Sequence, residues 1–236
     1  VKDFEIIDSK PAIYLPGIDL IALTDLHLGL EASMTSRGHY VPEFQLEDLK
    51  KEISGLKDET GSDRILINGD LKNQYSTTYS EKREISDLME FLVTEFEDVI
   101  IIEGNHDTFI EEIVEEKGLR VLESYSEDGI VFVHGHENIV QSFETLVIGH
   151  EHPALALTDE IGVTEKVPCL LHGKTDRGQI LVLPAFSKIS NGSEVNRMNK
   201  KELLSPILQE TGIQNFEAYA ISREAGVFDF GKIQNL

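Results

Sequence analysis

Five short apolar runs in this chain each end in a cluster of residues able to bind a metal or move a proton. The clusters are Asp25-Leu26-His27, Gly69-Asp70, Gly104-Asn105-His106-Asp107, His134-Gly135-His136 and Gly149-His150-Glu151-His152. Runs of Ile, Val and Leu of this length have the character of strands buried on both faces of a parallel-type sheet. Ligands of open α/β sheets bind beyond the carboxyl ends of such strands. Five strand ends carrying His, Asp and Asn are therefore expected to meet on one rim and form a site for two metal ions.

The rest of the chain supports a layered α/β fold. Ile18–Leu28, Arg64–Asn68, Val99–Glu103, Ile130–Val133 and Leu146–Ile148 read as strands. Leu46, Leu49, Ile53 and Leu56 recur at helical spacing, as do Ile85, Leu88, Met89, Leu92, Val93 and Phe96. Thr78 with Glu81 forms a possible capping box for the second helix. Thr108–Lys117 reads as a short helix closed by Gly118. After His152 the chain is mostly β, with one short helix whose N-cap is Ser205 and whose first residue is Pro206. The expected architecture is a four-layer αββα sandwich: two mixed β-sheets packed face to face with flanking helices. With neither repeat nor linker visible, residues 1–236 read as a single domain.

Composition narrows the function. A chain of 236 residues that is 40% hydrophobic has enough apolar mass for a sizeable core. No run approaches the roughly 18 apolar residues of a membrane span, and the N-terminus lacks the apolar core of a signal peptide. The single cysteine, Cys169, forbids an internal disulfide and reads as a small buried hydrophobe, which fits a cytoplasmic protein. Lys and Arg number 21 against 43 Asp and Glu, a formal charge of −22. Such a surface disfavours a general DNA-binding face, since affinity for DNA rests largely on neutralising phosphates.

Within the expected site, Asp25 with His27, and His150 with His152, stand two apart on presumed strand ends, where side chains share a side. The Asp70 carboxylate can bridge two cations, Asn105 offers an amide oxygen and His134 a ring nitrogen. This mixed donor set suits divalent transition metals, manganese first, with Fe, Zn, Co or Ni as alternatives. Two divalent ions, held by two carboxylates and bridged by a hydroxide, leave a small net positive charge suited to a phosphate group. His106 is placed to protonate a leaving oxygen, with Asp107 expected to fix its tautomer. Lys72, Asn73, Arg37, His39 and His136 are the candidate substrate contacts.

Taken in order, Asp-x-His, Gly-Asp-x-x-Asn, Gly-Asn-His-Asp, His and Gly-His-x-His resemble the motifs of the calcineurin-like metallophosphoesterases, over Asp25 to His152. The resemblance implies one metal on Asp25, His27, Asp70 and His152, and a second on Asp70, Asn105, His134 and His150. It also implies His106 as proton donor and attack on phosphorus by a metal-bridging hydroxide. Asp25-Leu26-His27-Leu28-Gly29, Gly69-Asp70-Leu71-Lys72, the Gly-His-Glu-His-Pro run ending at Pro153, and Leu183-Pro184-Ala185-Phe186-Ser187 are similar to the archaeal and bacterial Icc-like phosphoesterases. That branch includes a protein associated with DNA-ligase gene clusters. Protein phosphatases of the superfamily carry an Arg before Gly-Asn-His and another after the Gly-Asp motif. Here Glu103 holds the first position and Lys72-Asn73-Gln74 follows Leu71, so the guanidinium fork that grips a phosphate dianion is missing.

The expected activity is thus a dinuclear metal-dependent phosphodiesterase acting on a phosphate ester, a nucleotide or nucleic acid among the candidates. The alternatives are a nuclease acting in repair and a non-catalytic metal-binding scaffold.

Overall fold

The computed structural model describes residues 4–29, 45–74, 79–190 and 192–236. The first sheet joins β1 (Glu5–Ile6), β2 (Ile13–Leu15), β3 (Leu20–Leu23), β4 (Arg64–Asn68), β5 (Asp98–Ile102) and β6 (Val121–Leu122) in that spatial order. β1, β2 and β3 pair antiparallel, and β3 through β6 run parallel. The parallel part needs crossovers. These carry α1 (Gln45–Thr60), α2 (Tyr79–Glu95) and the short α3 (Glu111–Glu115).

The second sheet is mixed. Its path runs β13 (Ser193–Glu194), β10 (Pro153–Thr158), β11 (Thr164–Thr175), β12 (Gly178–Val182), β9 (Thr145–Ile148), β8 (Ile130–Phe132) and β7 (Tyr125–Glu127). β14 (Glu217–Ser222) joins β11 and pairs in turn with β15 (Gly226–Lys232). β8, β9 and β12 lie parallel at its centre.

Side-chain alternation explains the layers. Along β3, Leu20 and Ala22 face the second sheet, while Ile21 and Leu23 face the helices. β4 repeats the pattern, with Leu66 inward and Ile65 and Ile67 outward. Ile53 and Leu56 of α1 and Ile85, Leu88, Met89 and Leu92 of α2 cover the outer face. Phe132, Val147, Leu170 and Leu181 complete the core between the sheets. Leu146, Ile148, Leu171 and Val182 point the other way, beneath Ile207 and Leu208 of α4 (Pro206–Thr211). Helix, sheet, sheet and helix are therefore stacked as expected. Each of these side chains is fully or almost fully buried, and for all but Ala22 this is worth about 1.5–3 kcal/mol apiece against leaving it in water.

Differences from the sequence reading have local causes. The strand expected over Ile18–Leu28 ends at Leu23, because the backbone beyond it turns into the left-handed region at Asp25 and His27. The helix expected over Thr108–Lys117 shortens to Glu111–Glu115, though Gly118 closes that segment with φ +76°. Thr78 of the capping box lies outside the described residues. Cys169 is fully buried, and burial pushes its thiol up. No helix among the described residues is long and apolar enough to cross a membrane.

One ion-pair cluster ties the α1 layer to the second sheet. Glu52 Oε1 lies 2.8 Å from Lys188 Nζ, and Glu52 Oε2 lies 3.0 Å from Nη2 of Arg223, in the β14–β15 turn. Burial opposes a charge on Glu52, but Lys188 and Arg223 outweigh it and hold its carboxyl below the ordinary range. A depressed carboxylate stabilises the fold above its unfolded pKa, and that contribution is lost as pH falls through its folded value. Glu52→Gln is expected to cost about 1.5–3 kcal/mol at pH 7, the range of hydrogen bonds to charged groups. The gap from the parent should begin to narrow near pH 4, where the unfolded carboxyl protonates, and close as pH passes the lower folded value. Denaturant melts of both proteins from pH 3 to 7 check it; a gap independent of pH would refute it.

Candidate metal centre

The five strand-end clusters do meet on one rim. β3, β4 and β5 are neighbours in the first sheet and β8 and β9 are neighbours in the second, so their carboxyl ends face one another across the sandwich. Two groups of donors result. Asp25, His27, Asp70 and His152 form one, and Asp70, His134 and His150 the other, with the donor atoms of each within 4.8 Å of one another. Asp70 belongs to both. Asn105 follows Gly104, where a Cβ would overlap the Asp70 carboxylate, and its Oδ1 is buried. Gly104 is required by that close approach.

Asp25 and His27 are brought together, but not by strand geometry. Asp25, His27, Asp70, His150 and His152 all have φ between +45° and +63°, a region non-glycine residues enter at a cost. Main-chain bonds enforce it: the N–H of Asp25 donates to Gly69 O at 3.0 Å and that of His27 to Asp70 O at 3.0 Å. The expectation that these pairs share a side because they stand two apart on a strand is therefore corrected. Turning loops, clamped to their neighbours, aim the side chains.

Tests of fit to cations come from distances and partners. His152 Nε2 lies 2.8 Å from Asp25 Oδ1 and 3.2 Å from His27 Nε2, and His134 Nε2 lies 3.4 Å from Asp70 Oδ2. Ligands bonded at about 2.1 Å to one ion stand roughly 3–3.5 Å apart, so this spacing suits a shared ion. Asp25 Oδ1 and His134 Nε2 are buried without a hydrogen bond of proper alignment. The far nitrogens are occupied instead. His134 Nδ1 meets Asn68 O at 2.9 Å, and His152 Nδ1 meets Ser190 Oγ at 2.9 Å. Such outer partners fix ring orientation and leave the inner nitrogen a lone pair for a metal.

The electrostatics are those of a site whose charges need cations. Burial alone would raise Asp25, but His152, His134 and His27 pull its carboxyl far down. Burial also opposes charge at His134, yet Asp70 and Asp25 prevail and push its pKa up to about 9. His27 and His150 are pushed down to about 4, mainly by burial. A proton on His134 thus does part of what a metal would do, and metal uptake must displace it.

Sequence reasoning missed Asn68, Thr24 and Ser190. Asn68 is wholly buried at the end of β4 and donates Nδ2 to Val133 O at 3.0 Å and Val147 O at 3.3 Å, stitching one sheet to the other. The hydroxyl of Thr24 lies 2.7 Å from Asp25 Oδ2 and 2.9 Å from Asn68 O. A polar residue closing an otherwise apolar run was the one signal available for Asn68.

Around His106 two expectations change. Its Nδ1 meets the backbone oxygen of Asn73 at 2.6 Å, so that carbonyl fixes the tautomer. The Asp107 carboxylate, expected in that role, accepts the N–H groups of Gly104 at 2.9 Å and Lys72 at 3.3 Å, and burial beside Asp70 pushes it up to about 7. Lys72 is fully buried rather than reaching for substrate: its Nζ donates to Gln74 O and to Thr108 Oγ1. His136 lies against His134 and His150 at steep ring angles, with centroids 5.4 and 6.0 Å away. Arg37 and His39 lie outside the described residues. A cavity of about 270 Å³ opens beside His134 and His136, and its wall carries Glu103, Glu123 and Glu137.

A face-to-face α/β sandwich with mixed Asp and His donors at its strand ends defines a class of metal-dependent hydrolases. The chain belongs to the calcineurin-like phosphoesterase family, whose model matches residues 18–213. Members bind two divalent metal ions and act on phosphate esters, and the two donor groups are candidates for holding that pair. The crystal structure of Pseudomonas putida nuclease MPE matches with a TM-score of 0.65 at 18% identity, covering 96% of this chain and 100% of that one. A Vps29 variant from Entamoeba histolytica gives a TM-score of 0.38 at 14% identity, covering 90% and 99%. A conserved Streptococcus pneumoniae protein, a phosphoesterase by prediction only, gives 0.33 at 13%, covering 89% and 96%. At such identities the first likeness speaks for the fold, and the other two carry no argument. No curated protein matches the chain.

Proposed function

We propose that residues 1–236 work as one domain, a cytoplasmic phosphodiesterase that uses two divalent cations, manganese being the first to test. The observation that carries this reading is the pair of donor groups sharing Asp70, with His106 Nε2 3.9 Å from the shared carboxylate oxygen. Asp25, His27, Asp70 and His152 would hold one cation, and Asp70, Asn105, His134 and His150 the other. When bound, the ions would supply Lewis acidity toward the phosphate oxygens and acidify a water for in-line attack.

The chain's own part is positioning and proton transfer. As the phosphorus–oxygen bond breaks, the departing alkoxide takes a proton from His106 Nε2. Meanwhile the Asn73 carbonyl holds Nδ1–H, which orients the ring and stabilises it while it is charged. Glu103, Glu123 and Glu137 on the cavity wall oppose a second negative charge on the substrate. Burial and the neighbouring carboxylates Glu111, Glu123 and Glu137 already raise Glu103. A diester monoanion meets less of this repulsion than a monoester dianion. With manganese added, bis(p-nitrophenyl) phosphate is expected to turn over faster than p-nitrophenyl phosphate; faster monoester cleavage would reverse the assignment.

Cleavage of a nucleic acid is the same chemistry on a polyanion, and the fold's likeness to a protein described as a nuclease motivates it as a second reading. The formal charge of −22 works against it. Assays on single- and double-stranded DNA over a salt series decide, and absence of cleavage at every salt concentration removes it.

A further inference from the structure

Glu151 stands between two of the donor histidines, is fully buried, and is used by none of the chemistry above. Its Oε2 accepts the N–H of Leu204 at 2.7 Å and of Ser205 at 3.1 Å. These are the amides at the start of α4, a helix whose N-cap Ser205 makes no side-chain cap. The Ser205 hydroxyl is directed elsewhere: it donates to Gly135 O at 2.6 Å, on the residue beside His134. Gly149 N–H closes the loop by donating to His134 O at 2.9 Å. A path of hydrogen bonds therefore runs from the His150–His152 loop through Glu151 and Ser205 to the His134 loop, using a segment more than fifty residues further along the chain.

A neutral Ser or Asn could cap so short a helix, and burying a carboxylate for that purpose alone is costly. What the carboxylate oxygen holds in place is the Leu204–Ser205 segment, whose hydroxyl reaches the loop carrying His134. We propose that Glu151 is a positioning residue that locks the His134 loop to the His150 loop, so that the cation shared by these two histidines binds with high affinity. This rests on the two-cation reading above.

Manganese titration by calorimetry, with electron paramagnetic resonance of the bound ions, tests it. The parent protein should take two equivalents and show the spectrum of a spin-coupled pair. Glu151→Ala should keep the first equivalent but bind the second about 10–100-fold more weakly, the range typical of lost outer partners, and show isolated manganese instead. Glu151→Gln retains an acceptor oxygen for the two amides and should rescue the second step. A merely structural residue would lower the melting temperature of the metal-free protein and leave the two steps in their original ratio. That result, with two equivalents bound by Glu151→Ala within about threefold of the parent, overturns the proposal. Should Glu151→Ala fail to fold, Ser205→Ala severs the same path at its hydroxyl; an unaltered second step there overturns it too. A parent protein that takes fewer than two equivalents refutes the two-cation reading itself, and this inference with it.

Discussion

Asp70→Asn should lose more than about a thousandfold in kcat/KM on the diester, since losing merely an outer partner of a ligand costs about 10–100-fold. Asp70 Oδ2 lies 3.4 Å from His134 Nε2 and 3.9 Å from His27 Nε2, so one carboxylate serves both donor groups. Asparagine preserves the shape and can still accept the His106 N–H that meets Asp70 Oδ1 at 3.0 Å. What it removes is negative charge and the second anionic oxygen. The fold should therefore persist while metal binding fails. Melting curves with and without manganese check this directly. The parent should gain stability from the metal, and the variant should not. Retained turnover with retained metal would show that Asp70 is no shared ligand.

His106→Ala is expected to act selectively. General acids contribute about 10²–10⁴-fold when the leaving group is a poor one. A p-nitrophenolate leaves readily without a proton, whereas an alkoxide does not. The variant should thus lose two or more orders of magnitude on an alkyl diester and much less on the p-nitrophenyl compound. Equal losses on both would assign His106 to binding rather than protonation. The ring's geometry favours the first outcome, because the Asn73 carbonyl occupies Nδ1 and leaves Nε2 as the atom near Asp70.

Much of this architecture is legible in the residues themselves. Arg64–Asn68 forms a strand with the limits its apolar run suggests, and α2 follows the spacing of Ile85, Leu88, Met89 and Leu92. Period and apolar content are local properties, so they survive into the fold. The gathering of Asp25, Asp70, His134 and His152 was readable for a related reason: each follows a strand, and parallel strands in adjacent positions place their ends together. What could not be read depends on partners distant in the chain. Nothing near His106 marks the backbone oxygen of Asn73 as its partner, and nothing around Lys72 announces full burial against Thr108. Glu151 reads as a spacer between two histidines until the segment around Ser205 folds over it. The left-handed turns at Asp25 and His27 are equally silent, because aspartate and histidine do not demand them as glycine would.

Those turns bear on what the protein is for. Five non-glycine residues on the rim hold torsions that each cost roughly 1–3 kcal/mol. Glycine at the same places would relieve the tension and firm the fold, at the loss of every donor so replaced. The strain is repaid only if the side chains it aims have work to do, and gripping cations is the work proposed for them.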